Sequence, residues 1–405
     1  MQLWNTRTRT KEHFDAPEIV QIYVCGITPY ATTHVGHART YLLFDVLIRE
    51  IEHQGHTVRY AQNVTDIDDP LFERAKQLGM STAELAREST RAFQDDLAAL
   101  RVRPPDYYPR ASDEVPEIQQ LVGALLEGGH AYRRGDRVYY RVRSFPSYGS
   151  FSRLERSQMI DSARDHGEDP SDPAKEDPLD FVLWKPSQPG EASWDSPWGQ
   201  GRPGWHIECS AMALTYLTPT LDIHGGGSDL IYPHHENEIA QSEAGTGQSP
   251  FARFWLHVEM VSLGGVKMSK SLGNLVLVRE LRARVNPLAI RHYLLCTHYR
   301  SWLDYSEPGL QASVERVRRL DQALSRTDAR VDSNLLADLS ARFDAALADD
   351  LDTPAALAVL DEAAELVRAA PGAATPLRDS TLRDLAARLG FADERISPVP
   401  QAKKQ

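Results

Sequence analysis

The chain has 405 residues, 41% of them apolar, 25% charged and 8% aromatic, ordinary figures for a globular protein that exclude a disordered, collagenous or disulfide-stapled chain. No window approaches the roughly 18 apolar residues of a membrane span and the N-terminal MQLWNTRTRTKEHF has no signal-peptide core, so the expectation is a cytoplasmic protein with no membrane partner. A net charge of −12 argues against a binder of nucleic acid that relies on phosphate neutralisation alone, and three scattered cysteines, Cys25, Cys209 and Cys296, leave free thiols or metal ligands as their uses.

Residues 19–24 read as a β-branched strand ending at Cys25-Gly26. Residues 40–53 have helical apolar spacing (Leu42, Leu43, Val46, Leu47, Ile51) and stop at Gly55. Residues 57–64 form a second predicted strand, and Ser81-Thr-Ala-Glu84 opens a long helix running to about residue 100. This alternation predicts an α/β fold with a doubly wound parallel sheet, its first half in residues 1–100. Residues 101–180 read as an insertion with a helix over 116–126 and a strand-like run over 138–142. They end in a mobile surface loop rich in Gly, Pro and acids over 161–178. The second half, 181–305, resumes with strands over 218–224 and 254–263. A helix capped by Asn286-Pro287 ends near residue 299 and packs Cys296 in the core. Residues 306–392 are all-helical, with amphipathic stretches over 309–326, 335–349, 354–368 and 380–389 that predict a bundle, and 393–405 read as a disordered tail.

Two short motifs carry charge chemistry. His34-Val35-Gly36-His37 falls between a strand and a helix, where N-terminal amides and the helix dipole attract anions and a glycine admits the backbone closely. Alone, these four residues describe two surface histidines at a helix start better than a phosphate site. Lys267-Met268-Ser269-Lys270-Ser271 offers two lysines and two serines to a pyrophosphate leaving group, though a lone basic pentapeptide is also an ordinary solvated loop. In this order, across a broken α/β sheet, the two resemble the HIGH and KMSKS signatures of class I aminoacyl-tRNA synthetases, with Val35 where the signature has isoleucine. That resemblance implies a Rossmann-like catalytic domain, ATP binding with Mg2+, and attack of an amino-acid carboxylate on the α-phosphate.

Cys25, Cys209, His234 and Glu238 would make a Cys₂-His-Glu zinc sphere, His234 and Glu238 being four apart on one helix face. Read alone, the two cysteines fit small buried core positions better than a metal site, the commoner fate of a free cysteine. Zinc would hold a substrate thiol as thiolate and an alcohol far less well, a discrimination no apolar pocket achieves for so small a difference. Tyr23-Val-Cys-Gly26, Asn63-Val-Thr-Asp-Ile-Asp-Asp69, Gly201-Arg-Pro-Gly-Trp-His-Ile-Glu-Cys209 and His224-Gly-Gly-Gly-Ser-Asp229 resemble the cysteinyl-tRNA synthetase family, over residues 3–389. The resemblance assigns catalysis to His34, His37, Lys267 and Lys270, and ATP binding to these together with Gly36, Ser269 and Ser271. It gives the cysteine pocket to Thr65, Trp205, His224 (flanking the zinc) and Asp229. From the residues alone, Trp205 could be core and Gly225–Gly227 a tight turn.

Two acceptors share such an adenylate. Cys25-Gly-Ile-Thr-Pro-Tyr30, Pro70-Leu-Phe-Glu-Arg-Ala75, the Gly167-Glu-Asp-Pro170 loop and Leu347-Ala-Asp-Asp-Leu-Asp-Thr-Pro354 resemble the family's close relative, the mycothiol-pathway ligase, which joins cysteine to the amine of glucosaminyl-inositol. Residues 391–405 stand where the usual synthetase continues into an anticodon-gripping domain. From residue 307 onward 17 acidic residues face 13 basic ones, a net of −4, although Arg316, Arg318, Arg319 and Arg326 could gather on one side. The Glu238 ligand, His235-Glu-Asn-Glu-Ile-Ala-Gln-Ser-Glu243 and His298-Tyr-Arg-Ser-Trp-Leu-Asp-Tyr-Ser306 resemble the synthetase. The expectation is therefore a monomer that transfers cysteine to tRNA(Cys), with the amino sugar as the alternative acceptor.

Overall fold

The strands of the central sheet are buried on both faces and dense in β-branched and aromatic residues, the pattern of a parallel sheet covered by helices. In the computed structural model, which describes residues 1–30, 32–268, 272–329, 331–372 and 381–392, β1 (Ile19–Ile27), α1 (Val35–His53) and β2 (Thr57–Val64) form the first crossover. After the insertion, α2 (Trp205–Tyr216) leads into β3 (Leu221–Gly227), then α3 (Glu236–Thr246) and β4 (Ala252–Val258). The order is β4-β3-β1-β2, parallel throughout. The chain leaves β1 on one side and returns on the other at β3, and such a switch point opens a crevice at the carboxyl ends of the strands. Cys25, near the end of β1, and His224, in β3, lie at that crevice.

Several sequence expectations are corrected. Helix α1 begins at Val35, not residue 40, because His34 caps it ahead of the apolar periodicity. The predicted strand 254–263 is two strands in two sheets: β4 ends at Val258, and β5 (Val261–Leu263) belongs to a small sheet with β6 (Val266–Lys267) and, beyond α4 (Pro287–Leu295), β7 (Leu303–Tyr305). Helix α4 stops short of residue 299, leaving Cys296 as its exposed C-cap rather than a core residue. Gly225–Gly227 lie in β3 rather than in a turn. A Cβ on Gly225 would meet the ring of Phe44 at 2.2 Å and the carbonyl of Leu256 at 2.6 Å, so only glycine lets α1 pack this close.

The insertion contributes an antiparallel sheet of Ala131–Arg134, Arg137–Tyr140, Phe181–Lys185 and Arg202–Pro203. The predicted surface loop 161–178 begins inside the helix Arg156–Asp165, and its end is tied down: buried Asp177 accepts from Arg143 at 2.8 Å and Arg156 at 2.5 Å. After β7 come α5 (Glu307–Leu324), α6 (Ser333–Ala348), α7 (Thr353–Ala369) and α8 (Thr381–Arg388). Their apolar faces share one core with the sheet, so Val20, Ile48, Leu288 and Leu360 belong to the same buried cluster. The predicted tail lies outside the described residues. Among the described residues no helix is long and apolar enough to cross a membrane.

Candidate active site and metal centre

Cys25 is delivered by β1, Cys209 by the second turn of α2, and His234 and Glu238 by the turn into α3 and its first turn. Their ligand atoms all lie within 4.8 Å of one another and all four residues are buried. Two sulfurs, an imidazole and a carboxylate, converging from three elements with no water access, form a cluster able to hold a metal ion. The surrounding residues aim them. Glu238 Oε1 lies 2.8 Å from His234 Nε2 and 3.2 Å from Cys25 Sγ, while its Oε2 lies 2.8 Å from His224 Nε2. His234 Nδ1 is 2.9 Å from His206 Nδ1, which leaves Nε2 facing the cluster.

The protonation of the ion-free cluster follows from these contacts. Burial would raise the Glu238 carboxyl, but His224 and His234 outweigh it and hold it well below the usual carboxylate range. Burial opposes charge on His234 too, yet Glu238 and Cys209 lift it to about 10. Burial would raise Cys209, but the hydrogen bond from Cys25 and the charge of His234 bring it down to about 6. Burial and then its Cys209 neighbour push the Cys25 thiol up. Protons thus sit where a cation would.

The first signature is built differently from expectation. His34 Nδ1 accepts from Gly36 N at 3.1 Å and His37 N at 3.4 Å, so these amides are already engaged rather than open to an anion. A Cβ on Gly36 would meet that ring at 2.9 Å, which makes glycine a requirement of the cap itself. The rings of His34 and His37 stack 3.7 Å apart. The segment following the second signature zips onto the first: Val35 N donates to Val276 O at 3.0 Å, Val278 N to Thr33 O at 3.0 Å, and His34 bridges Leu277. Lys267 lies exposed on β6, and its carbonyl accepts from Asn274 Nδ2 at 3.2 Å. Ser269, Lys270 and Ser271 lie outside the described residues.

Asp229 lines a cleft of about 580 Å³ together with Ser228, His257, Glu259, Lys267 and Arg300. The ring of Trp205 stacks 4.4 Å from His234 and lines a second cleft of about 650 Å³ on the side of the insertion. Thr65 is buried at the end of β2, where its hydroxyl accepts from Asn63 Nδ2 at 3.1 Å. Gly26 is needed beside it, because a Cβ there would come within 1.6 Å of the carbonyl of Asn63. Sequence reasoning missed His206, although its i, i+3 spacing to Cys209 was a usable signal. It also missed Arg39, for which no local pattern exists.

A family model described as "tRNA synthetases class I (C) catalytic domain" matches residues 12–315. A cysteine--tRNA ligase of Dehalococcoides mccartyi is 45% identical over 410 residues, covering 99% of this chain and 88% of its own length. That of Legionella pneumophila subsp. pneumophila is 45% identical over 396 residues, covering 96% and 85%. Mycobacterium tuberculosis methionyl-tRNA synthetase in complex with methionyl-adenylate superposes with a TM-score of 0.61 over 92% of this chain and 89% of that one, at 16% identity, a likeness of fold. The chain belongs to the cysteinyl-tRNA synthetase family, within the class I synthetases.

Proposed function

We propose that this protein, acting as a cytoplasmic monomer, activates L-cysteine with ATP as cysteinyl-adenylate and transfers it to tRNA(Cys). The observation that carries the reading is the buried Cys25–Cys209–His234–Glu238 cluster at the switch point of the sheet, with Trp205 stacked against it. Two soft donors, an imidazole and a carboxylate suit zinc, and a zinc ion held there would take the substrate thiol as thiolate and discriminate against serine.

Trp205, stacked on His234, Thr65 at the end of β2 and Asp229 in the neighbouring cleft would orient the amino group of cysteine, and His224 keeps Glu238 in place. The cysteine carboxylate attacks the α-phosphorus, the bond to the bridging oxygen breaks, and pyrophosphate leaves. His34 and His37 act on one side of the phosphates, and Lys267, Ser269, Lys270 and Ser271 on the other. Together they offset the charge developing on the transferred group, and Mg2+ arrives with ATP. A hydroxyl of the tRNA 3′ end then attacks the carbonyl carbon and AMP departs.

The amino-sugar acceptor is kept in the test on a specific observation. Arg316 pairs with Asp361, Arg318 and Arg319 pair with Glu315, and Arg326 donates to carbonyls at the end of α7. These four arginines therefore make no uncompensated basic face for RNA. Purified protein with ATP, Mg2+ and labelled cysteine should place label on tRNA(Cys). Label on the glucosaminyl-inositol amine alone would reassign the acceptor, and absence of cysteine-dependent AMP release would refute the activation step.

A further inference from the structure

Arg39 lies two residues beyond His37 on α1, with its side chain buried. A guanidinium taken out of water ordinarily finds a carboxylate. This one instead gives five hydrogen bonds to main-chain carbonyls. Its Nη1 donates to Glu259 O at 2.9 Å and Met260 O at 3.4 Å. Its Nη2 donates to Thr297 O at 3.3 Å, His298 O at 2.9 Å and Ser301 O at 2.8 Å. Burial draws its pKa down to about 10, the Glu259 charge opposing, so it is cationic at neutral pH.

The two gripped loops feed one small sheet. Glu259-Met260 runs directly into β5, and residues 297–301 lead to β7; β5 pairs with β7 in parallel and with β6 in antiparallel register. Strand β6 carries Lys267, two residues across a tight hairpin from β5. The guanidinium therefore joins the base of the sheet that carries Lys267 of the second signature to the helix that begins with the first. A planar fork can span two loops in this way, whereas an ammonium, with three donors on a single atom, cannot.

We infer that Arg39 is a positioning residue that sets the distance between His34 and His37 on α1 and Lys267 on the small sheet. It touches no substrate; it acts through the two loops. The inference rests on the adenylation reading for its kinetic consequence only. Since a misplacement of about 1 Å can cost on the order of 100-fold in rate, loosening this joint slows the chemical step. It leaves the metal cluster that would take the substrate thiol, built on β1, α2 and α3, unchanged.

The test compares Arg39→Lys with Arg291→Lys. Arg291 is an equally buried arginine that pairs with Asp45, eight residues beyond His37 on α1, and donates to Leu389 O and Leu100 O, gripping neither Glu259-Met260 nor residues 297–301. In cysteine-dependent ATP–pyrophosphate exchange, Arg39→Lys should lower kcat roughly 10- to 100-fold while the KM for cysteine and the bound metal stay at wild-type values. Arg291→Lys should lower the melting temperature without that kcat loss. Wild-type kcat in Arg39→Lys, or a loss matched by lost metal or a raised cysteine KM, overturns the inference. Native-state hydrogen exchange on the unaltered protein decides the matter even where the variant does not fold or exchange activity is absent. Residues 35–39 and 259–267 should open as one unit, and independent opening of the two overturns it. Absent activity with joint opening would refute the adenylation reading and leave the joint standing.

Discussion

Glu238 serves three neighbours with two oxygens: Oε1 faces Cys25 and His234, and Oε2 faces His224. Glu238→Gln keeps the shape but removes the anion and places an amide against one of those partners. The expected outcome is at least a tenfold loss of metal affinity in chelator competition, with the fold retained by circular dichroism. The protons of the ion-free cluster give a second expectation. Cys25 is held as a thiol and His234 as an imidazolium at neutral pH, so metal uptake in weakly buffered solution should acidify it by about two protons per ion. Uptake with no proton release would mean that the protonation pattern derived from these contacts is wrong. The cluster was legible in the sequence through the family resemblance; from residue type alone Cys25 and Cys209 read as buried core residues. The engaged amides behind His34 were not legible. Whether a histidine ring turns back onto its own helix is a rotamer choice, and residue type alone does not set it.

At the scale of elements, the joint between the bundle and the sheet rests on Asp350, which is fully buried with φ of 59°. Its carboxylate accepts from Trp4 N at 2.7 Å, Tyr299 OH at 2.6 Å and Arg300 Nε at 2.7 Å, and the Arg300 guanidinium lies 4.7 Å over the Trp4 ring. Asp350→Ala leaves the buried Tyr299 hydroxyl and two partly buried donors without their acceptor and should cost about 3 kcal/mol in chemical denaturation. Asp350→Asn should recover part of that loss. His292 on α4 sets a pH dependence in the same region. Burial lowers it to about 4, with Asp361 opposing and Arg316 adding to the effect. The unfolded chain takes up a proton near pH 6.5 while the folded chain does so only near 4. Stability therefore falls as pH drops through that window, by on the order of 3 kcal/mol, and levels off below it. Replacing His292 with Gln should flatten the melting-temperature profile between about pH 6.5 and 4, and an unchanged slope would assign it to other groups. The element types were readable from periodicity. Their ends were set by caps and by breaks such as Glu259-Met260, where carbonyls turn away from the sheet toward Arg39.

For the molecule as a whole, the metal cluster ties β1, α2 and α3 together where the chain re-enters the sheet after the insertion. A ligand that binds only the folded state stabilises it by about 4 kcal/mol at a thousandfold excess over its Kd. Chelation should therefore lower the melting temperature, and zinc should restore it. An unchanged melting temperature would place the bound ion elsewhere. The amino-acid sequence was sufficient for the α/β class and the two signatures, which depend on residue chemistry and short-range spacing, and through its resemblance for the family and the donor set. Folding was needed to bring residue 25 to residue 238, to lay Val276–Val278 against His34, to pair Arg316 of α5 with Asp361, and to aim Arg39 at five carbonyls. Each of these joins positions far apart in the chain through backbone groups or mutual burial, which carry no signature in the identity of any one residue.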